Sequence, residues 1–272
     1  RAAQEARGPP GSQTRCVRRP FPNTKIVELL GEFLQLTLNI SHTIVKGLLL
    51  LAILVNTKLN VDERLGGFLP EIPYERRMWA GGWLEFYGQF AIGDEVQKTS
   101  RIDDITFKSG RSGNLCFVAI MHEFSVAERL ILRERHDVVY REIVTPASPQ
   151  PAPANEPAAA HRWHVDANPV MLFRYSALTF NGHRIHYDLP YSTNVEGHSG
   201  LLVHGPLQAT LMLNLACQIN GKQPQRVTYR GVSPLVCGEP IMVDADTADT
   251  GGLACCVRAA NGIVTMTAEV IL

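Results

Sequence analysis

Two histidines, an asparagine and an aspartate lie within nine residues of the sequence, in the segment FNGHRIHYD at 180–188. Histidine titrates near neutral pH, so it can act as a general acid or base, and its neutral ring also binds metals. His183 and His186 lie three positions apart, and His204 follows in the next apolar stretch. These residue types allow three interpretations of the segment: a proton-transfer site, a metal site or an ordinary polar loop.

A predicted helix begins beside His204 and brings a second chemical group to the same region. The segment GPLQATLMLNLACQING at 205–221 has apolar residues at helical spacing, Pro206 in a position suited to a first turn, and Gly221 at the end. The first N–H groups of a helix have no partner within it and lie at the positive end of its dipole. The N–H of Gly205 is therefore a candidate donor to a carbonyl or developing anion.

Four side chains near the motif are of types that zinc or iron accepts: His183, His186, Asp188 and His204. Residues 183 and 186 share a face only in a helix, whereas Thr179 and the aromatic residues around it indicate a strand that leads into a turn. We therefore expect no metal and no other cofactor.

The composition is that of a globular protein with one large core or two ordinary ones. The chain has 272 residues, of which 45% are hydrophobic and 19% charged. Its 26 basic and 26 acidic residues cancel, so no net field exists to hold a nucleic acid or an anionic membrane. We therefore expect neither partner.

Six scattered cysteines form no C-x-x-C pair and have apolar neighbours. This pattern predicts reduced, packed thiols in an intracellular protein. The vicinal pair Cys255 and Cys256 would point to opposite faces of a strand, which disfavours a disulfide between them.

The first 65 residues are an atypical N-terminal segment. Residues 1–19 carry five arginines and one glutamate, which fits either a transit peptide or a disordered tail. Residues 26–55 are rich in apolar side chains but include Glu28, Glu32, His42 and Lys46. Because a membrane-spanning helix needs ~20 uninterrupted apolar residues, we expect a buried helix here.

A Pro/Ala-rich linker at 143–162, with five prolines, divides the rest of the chain into 66–142 and 163–272. Both parts contain runs rich in β-branched residues, punctuated by Gly and Pro. The second part adds the helix at 205–221. The pattern predicts an α+β protein of two similar units, in which a sheet wraps around a helix.

FRYSALTFNGHRIHYD at 173–188, followed by GLLVHGPLQATL at 200–211, resembles the hydratase motif of MaoC-like hot-dog proteins. The branch that it resembles contains mesaconyl-CoA hydratase and the type 2 hydroxyacyl-thioester dehydratases. RRMWAGGWLEF and KSGRSGNLCFV resemble the first half of the same branch, so the resemblance runs from about Gly66 to the C-terminus. It implies a double hot-dog fold, with two antiparallel sheets that each wrap around a central helix.

The resemblance implies a hydro-lyase that hydrates an enoyl thioester or dehydrates a 3-hydroxyacyl thioester. The family motif is Asp-x-Asn-Pro-x-His; His186 corresponds to its histidine, and Asn181 stands where the family has the aspartate. An amide cannot take a proton from water at neutral pH, so His186 would be the principal acid/base. His183 would relay a proton or orient the loop. Gly205 matches the glycine whose N–H faces the thioester carbonyl in the family.

The expected partner is an acyl-CoA or acyl-carrier-protein thioester. A homodimer is compatible with the resemblance. The first half, without a matching motif, would serve substrate binding. Candidate substrate-binding residues in the second half are Arg174, Arg184, Tyr187 and His204, although Tyr187 and Asp188 also suit a turn and His204 a loop anchor. The expected location is the mitochondrial matrix in a eukaryote and the cytoplasm otherwise. A non-catalytic acyl-thioester-binding protein is the alternative function.

Overall fold

The structure is a computed structural model that describes residues 68–74, 76–91, 94–110, 113–142, 158–179 and 181–272. The predictions for residues 1–65, including the buried helix in 26–55, and for most of the linker lie outside this part. Among the described residues, no helix has the length and apolar character needed to cross a membrane.

The first half is a run of four long antiparallel strands. β3 and β4 are joined by a two-residue turn at Ala127 and Glu128, both with positive φ (47° and 65°), which suits a tight hairpin. The four strands are β1 (Arg76–Phe86), β2 (Val96–Gly110), β3 (Gly113–Val126) and β4 (Arg129–Arg141).

The second half places two helices and two short helical turns ahead of four strands. Its elements in chain order are β5 (His161–Val165), α1 (Pro169–Thr179), a 3₁₀ turn (Arg184–His186), a π turn (Tyr191–Val195), α2 (Gly205–Asn220), β6 (Arg226–Gly231), β7 (Ile241–Thr247), β8 (Leu253–Arg258) and β9 (Val264–Ile271).

All nine described strands belong to one antiparallel sheet, in the order β2-β3-β4-β1-β6-β9-β8-β7-β5. The antiparallel sheets predicted for the two halves join edge to edge, because β1 and β6 pair and each satisfies the other's edge backbone groups. Gly81 lies at this seam, where an added Cβ would come within 2.5 Å of the Tyr229 carbonyl oxygen in β6. Glycine thus allows the two halves to join closely.

The predicted helix at 205–221 is confirmed as α2, which packs on the sheet of the second half. It ends at Gly221, which adopts a left-handed conformation (φ 72°) and donates its N–H to the Cys217 carbonyl. Leu207, Leu211 and Leu215 are all buried in the main core. The apolar helical spacing in the sequence therefore reflects real burial.

The prediction of a strand before the histidine motif is wrong, because residues 169–179 form α1. The Asn168 side chain accepts a hydrogen bond from the Met171 N–H at 3.0 Å and caps the helix, with Pro169 in its first turn. The buried residues then recur with helical spacing: Met171, Leu172, Tyr175, Ser176 and Thr179. Here helical packing overrides the strand preference of Thr and aromatic residues.

The predicted linker extends two residues too far, because β5 begins at His161. Arg162 belongs to the strand, where its Nε lies 2.6 Å from a carboxylate oxygen of the buried Asp244. The five described cysteines are free, as predicted. Cys255 is buried and Cys256 is half-buried on β8, so they face opposite sides of the strand.

Candidate active site

His186 lies in the 3₁₀ turn and is buried, with 7% of its surface exposed. Its Nδ1 is 2.8 Å from the Leu202 carbonyl oxygen. A carbonyl only accepts hydrogen bonds, so Nδ1 carries the hydrogen and Nε2 keeps a free lone pair in the neutral ring. Burial lowers the pKa of His186 to about 4, although the hydrogen bond to the Leu202 carbonyl acts in the opposite direction. At neutral pH this side chain is therefore an uncharged proton acceptor.

His204 lies directly against His186 and is fully buried. The two rings stack with centroids 3.7 Å apart and planes 19° from parallel. The His204 Nε2 is 2.8 Å from the Ser176 hydroxyl, and the Tyr175 ring packs against the imidazole at 4.7 Å. Burial, with further effects from His186 and His183, lowers the pKa of His204 well below its usual value. The stack therefore consists of two neutral rings at neutral pH.

His183 and Asn181 complete the loop around His186. The His183 ring meets the His186 ring edge-on, with centroids 5.7 Å apart. The Asn181 Oδ1 accepts a hydrogen bond from the His183 backbone N–H at 3.1 Å, and the Asn181 N–H donates to the Ser176 carbonyl at 2.9 Å. The oxygen of Asn181 thus orders the loop, while its amide N–H groups are the donors left for a ligand.

Gly205 is the first residue of α2 and follows the capping residue His204. An added Cβ at Gly205 would come within 2.5 Å of Cε3 of Trp79, which belongs to β1 in the first half. Trp79 also stacks on Tyr229, with ring centroids 4.9 Å apart. The first half therefore contributes an indole to the start of α2, and Gly205 has a packing reason to be glycine beside any role of its N–H.

The other predicted binding residues lie at the outside of the motif. Arg184 forms an ion pair with Asp188 at 2.7 Å and lies 4.3 Å above the Tyr191 ring. Tyr187 donates its hydroxyl hydrogen to the Gly182 carbonyl at 2.7 Å. The turn-forming roles expected for Tyr187 and Asp188 are present, and Arg174 is exposed on α1.

The structure thus brings together His183, His186, His204 and Gly205, whereas the side chains of Arg174 and Arg184 are exposed. Sequence reasoning did not identify Tyr175, Ser176 or Trp79 as residues of the site. The helical spacing of Tyr175 and Ser176 was the available signal for their burial. No group of three or more His, Cys, Asp or Glu side chains is arranged to hold a metal within the described ranges.

Comparisons with known proteins give a family match and several relatives of known structure or name. The sequence model of the hydroxyacyl-thioester dehydratase type 2 family matches residues 59–237, more than half of the chain. A mesaconyl-C(4)-CoA hydratase from Chloroflexus aurantiacus is 44% identical over 172 residues, which are 62% of this chain and 61% of that protein. The chain therefore spans less than two thirds of the length of this relative.

Solved structures from Mycobacterium tuberculosis share the architecture. HtdX superimposes with a TM-score of 0.66 at 17% identity, covering 92% of this chain and 94% of its own. A second protein, described as having a double hot-dog fold, gives a TM-score of 0.52 at 16% identity and covers 82% and 79% of the two chains. At these identities the likeness shows the fold alone, and it confirms the predicted double hot-dog. The family match shows that the chain belongs to the hydroxyacyl-thioester dehydratase type 2 family.

Proposed function

We propose that the chain adds water reversibly to a trans-2-enoyl thioester, with dehydration of a 3-hydroxyacyl thioester as the reverse reaction. The observation that carries this proposal is the 2.8 Å contact between His186 Nδ1 and the Leu202 carbonyl, which leaves Nε2 as the proton acceptor. Family membership supports the same chemistry.

His186 would serve both proton transfers of the reaction. In hydration, Nε2 takes a proton from water while the water oxygen bonds to Cβ of the enoyl group. The double-bond electrons move toward the thioester carbonyl, and the protonated ring then gives its proton to Cα. One O–H bond and the π bond between Cα and Cβ break, and one C–O bond and one C–H bond form. Because burial lowers the pKa of His186 to about 4, the ring is deprotonated before each hydration and, once protonated, is a stronger acid than an ordinary imidazolium.

The negative charge that develops on the thioester oxygen would be stabilised at the start of α2. Gly205 is the first helical residue, so its N–H has no partner within the helix and lies at the positive end of the dipole. A donor held in place before the reaction stabilises such an oxyanion without reorganisation. Trp79 would form one wall beside this oxygen.

Asn181 would position the water rather than accept its proton. Its oxygen is occupied by the His183 N–H, so the amide N–H groups are free to donate to the water oxygen. His183, edge-on to His186, would orient the loop or pass protons to solvent.

The substrate would be carried on CoA or on acyl carrier protein. Its acyl group would resemble either the mesaconyl group in the name of the Chloroflexus relative or the hydroxyacyl group in the name of the family. Exposed Arg174 and Arg184 are candidates for the phosphates of the carrier. His204 would hold the His186 ring in place by stacking against it. A homodimer, and a mitochondrial matrix location in a eukaryote or a cytoplasmic one otherwise, belong to the same proposal.

The alternative is an acyl-thioester-binding protein without activity, which is favoured by the amide at position 181. A hydration assay separates the two functions. The purified protein is given crotonyl-CoA, mesaconyl-CoA and longer enoyl thioesters, and loss of the enoyl absorbance is followed. Turnover of at least one supports the hydro-lyase, whereas tight binding without turnover of any supports the alternative.

A further inference from the structure

Trp79 lies at an irregular point of β1, just before this strand joins the second half of the chain. In the pairing of β1 with β4, Trp79 is opposite Val138 and Gly81 is opposite Asp137, so Ala80 is an extra residue that forms a β-bulge. The pairing of β1 with β6 begins at Gly81, two residues after Trp79. Trp79 is therefore adjacent to the junction of the two halves but not part of its ladder.

The bulge determines which face of the sheet carries the indole. Trp79 and Gly82 are three residues apart, so in a regular strand they would face opposite sides. Their partners on β4, Val138 and His136, are two residues apart and share a face. Tyr229 of β6 also pairs with Gly82. The bulge therefore turns Trp79 to the face that carries His136 and Tyr229.

On this face the indole has neighbours on three elements. It stacks on Tyr229 with ring centroids 4.9 Å apart, and it meets His136 edge-on at 6.0 Å. A Cβ added to Gly205 would come within 2.5 Å of its Cε3 and 2.8 Å of its Cζ3. Tyr229 and His136 are buried, whereas Trp79 remains partly exposed. The indole thus has two buried supports and an open part beside the start of α2.

The contact with the indole falls on the residue whose N–H would stabilise the oxyanion. Gly205 has no side chain that could fix its own position, so the position of its N–H depends on the groups around it. Donors stabilise a developing charge because they are held in place before the reaction. A displacement of about 1 Å at such a donor can lower the rate by about 10²-fold.

We propose that Trp79 is a positioning residue of the reaction: its indole holds the first turn of α2 so that the Gly205 N–H meets the thioester oxygen. Tyr229 and His136 hold the indole, and the bulge at Ala80 directs it toward α2. The first half of the chain would thereby take part in the chemistry and not only in substrate binding. This inference rests on the proposed function.

Single substitutions of Trp79 test the positioning role. Trp79→Leu should lower kcat for an enoyl thioester by about 10- to 100-fold with KM within about threefold, because the lost stabilisation belongs to the transition state. Trp79→Phe keeps an aromatic ring and should retain kcat within about fivefold. An unchanged kcat in folded Trp79→Leu protein would overturn the inference.

Trp83→Leu is the matched control. Trp83 lies on the same strand but on the opposite face, paired with Arg135, and its ring lies 4.7 Å from the Arg226 guanidinium. This variant should keep the wild-type kcat. If it is as slow as Trp79→Leu, the loss reflects a general disturbance of β1, and the inference is wrong.

A double variant tests whether Trp79 acts through Gly205. The methyl group of Gly205→Ala would occupy space that the indole leaves in Trp79→Leu, so the Trp79→Leu/Gly205→Ala protein should be no slower than either single variant. Effects on kcat that multiply would show that the two residues act independently. That result would overturn the inference, even if the free energies of unfolding are coupled.

Binding of acetoacetyl-CoA separates this inference from the proposed function. This thioester ionises to an enolate that absorbs in the ultraviolet, and no water is added. A donor held at Gly205 should lower the pH at which the bound thioester ionises, and this shift should be largely lost in Trp79→Leu but kept in Trp83→Leu. No shift in the wild type, or an equal shift in Trp79→Leu, would overturn the inference.

The two failures have different signatures. If the wild type hydrates enoyl thioesters but kcat and the enolate shift are unchanged in Trp79→Leu, the positioning role is wrong and the hydro-lyase function stands. If the enolate shift depends on Trp79 but no enoyl thioester is hydrated, the positioning role stands and the hydro-lyase function is wrong.

Discussion

The imidazole rings of His186 and His204 are stacked at 3.7 Å, and each is fixed from its far side by a separate hydrogen bond. His186 is held by the Leu202 carbonyl and His204 by the Ser176 hydroxyl. Under the proposed function the two histidines would have different roles: His186 would use its second nitrogen for chemistry, and His204 would fix the plane of the His186 ring.

Replacement of His204 tests this supporting role. His204→Phe keeps an aromatic ring under His186 and should retain kcat within about tenfold, with the pH profile unchanged. His204→Ala removes a fully buried ring, so we expect a loss of about 3 kcal/mol in the free energy of unfolding and a larger fall in kcat. Steady-state kinetics and urea unfolding measure both effects. If the Phe and Ala variants are equally slow, His204 takes part in the chemistry.

Gly205 and Trp79 should be energetically coupled. Gly205→Ala places a methyl group 2.5 Å from Trp79 Cε3 and should destabilise the protein by about 1–3 kcal/mol, although the backbone N–H remains. Trp79→Leu frees space, so the double variant should be more stable than the sum of the single changes predicts. A double-mutant cycle by urea unfolding measures this coupling. Strict additivity would show that the Cβ is accommodated in another way.

Asn181→Asp should retain or raise the hydration rate. The new carboxylate still offers an oxygen to the His183 N–H, which the present Asn181 side chain binds at 3.1 Å. It also supplies a second proton acceptor beside His186. Asn181→Leu, which has neither oxygen nor donor, is the matched comparison and should be slower by about tenfold or more. A folded but inactive Asp variant would mean that the site cannot hold a negative charge there.

The free energy of unfolding should fall as the pH falls from 7 to 5. Burial lowers the pKa of His122, His136, His186 and His204 in the folded protein. The unfolded histidines bind protons near pH ~6.5, so stability present above that pH is lost on acidification, by about 2 kcal/mol for His186 alone between pH 7 and pH 5. Glu134, with its pKa raised to about 7, acts in the opposite direction, but it is one group against four.

Urea unfolding at pH 7, 6 and 5 measures this dependence. His136, whose pKa is lowered to about 3, provides the control, since His136→Gln should give a shallower dependence on pH. Constant stability between pH 7 and 5 would contradict the burial of neutral histidines.

Local patterns in the sequence predicted the candidate acid/base residues and the helix α2 better than they predicted the elements and contacts around them. Pro206 and Gly221 mark the ends of α2, and the spacing of its leucines reflects their burial. The capping pair Asn168 and Pro169 also marks a helix start, but the strand preference of Thr179 and the aromatic residues concealed α1. Trp79 meets Gly205 only because β1 and β6 pair, and no local pattern in the sequence encodes that contact. His122 of β3 and Glu134 of β4 likewise lie side by side only because of the strand register, which the sequence of either strand alone does not predict.

The hydration rate of His186→Ala tests the central role of this residue most directly. The wild type, His186→Ala and the control His164→Ala, whose histidine is exposed on β5, are compared with an enoyl thioester that the wild type hydrates. We predict that kcat falls at least ~10²-fold in His186→Ala and stays near the wild-type value in His164→Ala. A near-normal rate in folded His186→Ala protein would contradict the role of His186 as the acid and base of the reaction.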